Sequence, residues 1–132
     1  MIEDVVTHAQ TTDRASALSA VEVAILHAQA AQADGDRAYE AGARVHLACR
    51  NCQRVALALQ LPAEGRRVAR RTRAICELVE QHAQAGIVLA ATLQDETIVN
   101  GARRRALLDL LVILADLGYY LDILGRNGRG EL

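Results

Sequence analysis

Apolar residues recur at three- and four-residue steps along most of this chain, the period of one helix face. Leu18, Val21, Ile25 and Ala28 form the first stripe. Thr11-Thr12-Asp13 precedes it and offers N-cap side chains. Asp34-Gly35-Asp36 follows and predicts a stop, with Gly35 as a left-handed C-cap and Asp36 capping the next helix. A second helix is expected from about Arg37 to Leu61, where Pro62 prevents continuation. The third begins around Ala63 to Arg66 and carries Val68, Thr72, Ile75, Val79, Ala83, Gly86, Ala90 and Leu93 on one face. After "QDETIVNG", with Thr97 or Asn100 as cap, the fourth spans about Ala102 to Leu124. It is apolar around most of its circumference.

Short connections favour antiparallel neighbours. The expectation is therefore an all-α protein, an up-and-down antiparallel four-helix bundle. Residues 1–124 form its single domain, and 125–132 a flexible tail.

Composition supports helices over strands. Among 132 residues the apolar mass is Ala, Leu and Val, with three Tyr and no Phe or Trp. Ala and Leu are strong helix formers. The net charge of −1 gives no bulk attraction to nucleic acid or to a membrane surface. The distribution is uneven: residues 37–73 hold nine Arg against Glu40 and Glu64, a net of +7, and the remainder is −8. The apolar run "ALLDLLVILADLGYYLDIL" contains Asp109, Asp116 and Asp122, too costly for a membrane span. Three cysteines and an acidic start without an apolar leader point to reduced thiols in a cytoplasmic protein.

"HLACRNC" at His46 to Cys52 has the residue types of a metal or redox site. A redox C-x-x-C needs a helix N-terminus, and a zinc pair most often sits on a turn. Cys49 and Cys52 instead lie deep in the second helix, on one stripe with Val45, Val55 and Leu59. Free Cys behaves as a small buried hydrophobe, so core packing is the reading. No metal and no cofactor is expected. No Glu has a His three residues on, which removes the di-iron pattern. Asp109 and Asp116 share a helix face, most simply as solvated carboxylates.

"HAQAG" at His82 to Gly86 resembles the local pattern of phosphotransfer bundles at its His and Gly. Ala85 stands where a Lys would assist phosphate, and a boundary histidine is the plain alternative. "RRVARRTR" is the strongest charge signal: Arg66, Arg70 and Arg73 share a helix face, with Arg67 and Arg71 beside it. Cations in a first turn oppose the helix dipole, so an acidic partner should face them. That partner is the acidic first helix (Glu22, Asp34), a second subunit or a ligand. Arg103 to Arg105 would extend the patch toward a phosphate backbone, although stacking aromatics are scarce.

The order of parts resembles the FliS-like family of flagellar secretion chaperones. "VTHAQTTD" precedes the first helix, "AILHAQAAQADGD" ends in Gly35-Asp36, and "VHLACRNC" places Ala48, Cys49 and Cys52 in the second. "LPAEG" supplies a turn, and "ICELV" stands where the family has a Tyr-rich stretch. The resemblance spans about residues 5 to 90 and implies a helical bundle holding a flagellin-like subunit before export.

The residues lead to a compatible, broader expectation: a non-enzymatic bundle that binds another polypeptide through its fourth helix. Leu110, Leu114, Leu117, Tyr120 and Leu121 are the candidate contacts, with Arg66, Arg70 and Arg73 steering an acidic partner. The same helix could serve a homodimer, or be the packed centre of the bundle. A phosphotransfer-type bundle centred on His82 is the alternative. Nucleic-acid binding through the Arg face is the third.

Overall fold

Nothing in residues 2–12 breaks a helix, since they contain neither Gly nor Pro. In the computed structural model the first helix accordingly starts ahead of the expected cap at Thr11 to Asp13. The structure describes the backbone of residues 2–61 and 68–128, and the side chains of residues 13–61 and 68–126. It comprises α1 (Ile2–Ala33), a 3₁₀ turn (Gly35–Arg37), α2 (Ala38–Gln60), α3 (Arg70–Leu93) and α4 (Asn100–Gly128).

Each helix packs on the next and α4 closes against α1, which leaves α1/α3 and α2/α4 across the diagonals. Three cross-links set the antiparallel registers. Arg14 near the start of α1 donates to the carbonyl of Leu121 near the end of α4, at 3.2 Å. Gly42 of α2 lies against the Ala90 carbonyl of α3, and His82 of α3 against Asp116 of α4. The chain is the expected up-and-down four-helix bundle.

The connections differ from the sequence expectation in their chemistry. Gly35 takes no left-handed conformation. Instead the Asp34 carboxylate accepts from the Asp36 amide at 3.0 Å, and the Arg37 amide donates to the Asp34 carbonyl. This side-chain turn is how Asp commonly halts a helix. Arg37, without a side-chain cap, then opens α2. Leu61 is extended (φ −71°, ψ 125°), as the residue before a proline prefers. The "LPAEG" turn beyond Leu61 lies outside the described residues. So does the expected start of α3 at 63–66; the helix begins at Arg70.

Between α3 and α4, Asp95 accepts from both the amide and the hydroxyl of Thr97, at 2.9 and 2.7 Å. These bonds hold its carboxyl below the usual range. At the other end α4 runs past Leu124, where a tail was expected. Arg14 packs its guanidinium over Gly125 while bonding the Leu121 carbonyl, which ties this turn to α1. Residues 129–132 of the expected tail are outside the described chain.

The core is built of unequal partners. α1 contributes Ala17, Val21, Ala24, Ala28 and Ala31, whereas α4 contributes Leu107, Leu110, Leu114, Leu117 and Leu121. Small residues on one helix let large ones on its neighbour fill the shared interior. Each fully buried leucine contributes about 1.5–3 kcal/mol of apolar transfer free energy. Leu18 and Ile25, expected at the centre of the first stripe, are only half-buried. The alanines beside them face the axis because α1 sits close to its neighbours. Two glycines set the α2/α3 approach: a Cβ on Gly42 would stand 2.8 Å from the Ala90 carbonyl oxygen, and one on Gly86 2.5 Å from the Cys49 sulfur.

Candidate functional site

Cys49, Cys52 and Cys76 are free and fully buried, contributed by α2 and α3 to the common core. Burial pushes the Cys49 and Cys52 thiols up to about 12 and Cys76 to about 11. The neighbouring Cys49 adds to the shift at Cys52, and Glu80 to that at Cys76. The thiolate is the form that attacks an electrophile or ligates a metal, so these sulfurs are held in their inert state. His46 is exposed to solvent, outside the core that holds Cys49. Among the described residues no three His, Cys, Asp or Glu side chains converge on a metal position. The stretch that looked chemical in sequence is packing.

The expected contact residues of α4 lie in the same core. Leu110, Leu114, Leu117 and Leu121 are 0% exposed. They form no open groove, because the alanine face of α1 and the Val79–Ala83–Gly86 face of α3 close over them. A partner could reach these leucines only by opening the bundle. Tyr120 is half-buried and packed against the core.

Tyr120 is instead part of a polar cluster between α3 and α4. Its ring meets His82 edge-to-face, with centroids 5.1 Å apart at 78°. His82 Nδ1 lies 2.8 Å from the Leu78 carbonyl oxygen and therefore carries the proton that makes this bond. His82 Nε2 lies 3.4 Å from the Asp116 carboxylate, an ion pair when the ring is protonated. Sequence spacing coupled Asp116 to Asp109, one helix away from its real neighbour. The antiparallel level of α3 and α4 carried the missing signal, but only once the register was fixed. Both ring nitrogens are thus engaged. An incoming phosphoryl group would meet the Asp116 carboxylate at Nε2, and exposed Ala85 offers no cation to offset that repulsion.

The arginines separate into two sets. Arg70, Arg71 and Arg73 are exposed on the opening turn of α3, which has no acidic residue and no side-chain cap. Arg66 and Arg67 lie outside the described residues. Arg103, Arg104 and Arg105 open α4, and antiparallel packing puts that end at the opposite pole of the bundle, so they do not extend the patch. Arg103 closes the pole. It donates to Asn100 at 3.2 Å, reaches over Gly35, and shares a cavity of about 290 Å³ with Ala31, Gln32 and Leu107.

Ion pairs among the described residues join Arg37 to Asp34, Arg44 to Glu40, Arg126 to Asp122 and, when its ring is protonated, His82 to Asp116. Arg70, Arg71 and Arg73 belong to none of them. Of the acidic groups expected to answer these arginines, Asp34 is engaged with Arg37, and Glu22 forms no ion pair among the described residues.

At the same pole as this unbalanced charge the end of α2 exposes Leu57 and Leu61, at 59% and 63%. Gln60 bonds Glu80 at 3.2 Å and Gln53 bonds Gln84 at 3.3 Å, which fixes α2 against α3 here. An open depression runs between the helices, lined by Gln53, Leu57, Glu80, Gln81 and Gln84. Arg73 stands two turns before Glu80, about 10 Å further along the axis. Apolar side chains at the end of α2 therefore share a pole of the bundle with guanidinium groups at the start of α3 that have no ion pair among the described residues. No helix among the described residues is long and apolar enough to cross a membrane. The chain matches no protein-family model, no curated protein and no solved structure.

Proposed function

We propose that the protein is a non-enzymatic helical bundle that binds another polypeptide on its outer surface. The seat is the end of α2 and the start of α3. The observation that carries this reading is the exposure of Leu57 and Leu61 at the same pole as Arg70, Arg71 and Arg73, which have no ion pair among the described residues. Apolar contacts give such a surface its affinity, and the arginines select an acidic partner and speed its approach. An amphipathic helix with carboxylates flanking its apolar stripe has the matching chemistry.

The resemblance to flagellar secretion chaperones implies a client of this kind, a flagellin-like subunit held before export. A cytoplasmic setting agrees with thiols kept reduced. The phosphotransfer alternative ranks lower because Asp116 faces His82 Nε2. Nucleic-acid binding ranks third because the two arginine sets lie at opposite poles and form no continuous track.

The test is a titration of the protein with a labelled acidic amphipathic peptide, its basic counterpart, and purified flagellin, read by fluorescence anisotropy at rising salt. The acidic peptide should bind and weaken with salt, and the double reversal Arg70→Glu/Arg73→Glu should abolish that dependence. Leu57→Ser should weaken binding at every salt concentration. Equal binding of acidic and basic peptides, or none, sinks the reading. Binding of the acidic peptide without flagellin keeps the surface and removes the export role.

A further inference from the structure

Leu108, Val112, Ala115 and Tyr119 form one line along the outside of α4, at steps of four, three and four residues. Leu108, Val112 and Tyr119 are 53, 63 and 62% exposed. The neighbours of α4 are α1 and α3, and neither covers this face. At 1.5 Å per residue the line is about 16 Å long. Its flanks are charged in an ordered way. Arg104 and Asp122 are eighteen residues apart, about five full turns, so they stand on the same flank about 27 Å from each other. Asp122 holds Arg126 at 2.8 Å, and Arg104 is in no ion pair among the described residues. Arg105 and Ile123 have the same eighteen-residue relation on the other flank.

We propose that this face of α4 binds the same face of a second copy, antiparallel, about a two-fold axis near residue 113. The pairs Leu108 with Tyr119, Val112 with Ala115, and Arg104 with Asp122 all have their midpoint there. A two-fold axis perpendicular to the helix lays each flank against the same flank of the other copy, reversed in direction. Leu108 then packs on Tyr119 of the partner subunit, and the small Ala115 lets the two helices approach. Arg104 reaches Asp122 of the partner subunit once at each end of the contact. A carboxylate has acceptor capacity for both Arg126 and this second guanidinium.

On the other flank the aliphatic stem of Arg105 covers Ile123 of the partner subunit. A parallel arrangement would oppose Arg104 to Arg105, like against like. Asp109 and Asp116 lie further round toward α3, with Asp116 turned onto His82 at 3.4 Å. The contact is independent of the α2/α3 surface proposed for a client. A single helix pair falls below about 1,200 Å² of total interface, the size of a weak, reversible dimer.

Sedimentation velocity of the whole chain tests it over about 1 to about 100 μM, the range in which a micromolar dimer dissociates. The mass should rise from that of the 14.2 kDa monomer toward twice that value. Val112→Glu sits on an exposed position, leaves the helical spectrum intact, and should remove the dimer. Arg104→Asp and Asp122→Arg should each weaken dimerisation about tenfold or more, and the combined swap should restore most of it. The two side chains are too far apart in one chain to compensate each other there, so restoration reports an intermolecular antiparallel pair. A monomer at every concentration, a dimer indifferent to Val112→Glu, or a swap that restores nothing overturns the proposal. The first of these results would leave the stripe free for a client helix.

Discussion

Gly86→Ala tests the contact on which the α2/α3 register depends. The new methyl carbon would stand 2.5 Å from Cys49 Sγ and 3.7 Å from Ile113 Cγ2. Carbon and its neighbours pack at about 3.5–4.0 Å, so the sulfur contact is short by about 1 Å. Cys49 is fully buried and cannot swing into solvent. Overpacking of this kind costs about 1–3 kcal/mol. Replacing a helical glycine returns about 1 kcal/mol of propensity, so a net loss of up to about 2 kcal/mol is expected.

Cys49→Ala alone removes one buried heavy atom and leaves a small void, a cost of about 1 kcal/mol. Together the two changes are not additive, because the methyl introduced by Gly86→Ala fills the space the sulfur leaves. The double variant should lie within about 0.5 kcal/mol of the starting protein, with a coupling of about 2 kcal/mol. Urea unfolding followed by far-ultraviolet circular dichroism reads these differences, provided the slope of the transition is unchanged. Additivity within about 0.5 kcal/mol would refute the reasoning, since Cys49 and Gly86 would then not share a level in the bundle. Gly42→Ala should be worse and escape rescue by Cys49→Ala, because its nearest obstacle is the Ala90 backbone carbonyl.

Three further outcomes follow from the core and the charge pattern. All three thiols are raised from 9.0 to about 11–12, so as pH rises the unfolded chain loses its thiol protons first. Stability should be full below about pH 9 and fall toward pH 11–12, by up to about 1.4 kcal/mol per pH unit for each thiol. A Cys52→Ala variant with an equally steep alkaline loss in urea midpoint contradicts this. Leu114→Ala should destabilise the bundle by about 2–5 kcal/mol and leave peptide affinity unchanged in the folded protein. A selective loss of binding at full stability would return that leucine to the contact surface. Arg70→Glu should raise stability by about 0.3–1 kcal/mol, since an acid suits the start of α3 better than a base does. A lowered thermal midpoint would mean that Arg70 supports the fold.

The helices, their order and their antiparallel packing were legible in the chain because the three- and four-residue recurrence of apolar positions is a local signal. The all-round hydrophobicity of α4 was equally plain, and so was the inward stripe that holds Cys49 and Cys52. What this pattern leaves open is which surface each apolar face meets. Leu110, Leu114, Leu117 and Leu121 read alike as a groove or as a centre. Only the close approach of the facing sides of α1 and α3 makes them core. Tertiary register likewise decided that Asp116 belongs to His82 and not to Asp109, since partners on different helices have no fixed spacing in sequence.

The turn at Asp34 was also legible as a stop, but its mechanism was not. Asp and Gly each end helices by separate routes, and the Asp34 carboxylate prevailed. The arginines show the same division most clearly. The order of residues determined that positive charge clusters along the chain, and the alternation of helix direction determined that Arg70 to Arg73 and Arg103 to Arg105 face opposite poles. Periodicity along one helix is encoded every few residues. The distance between two helices depends on every side chain between them, and this is why only the folded structure could supply it.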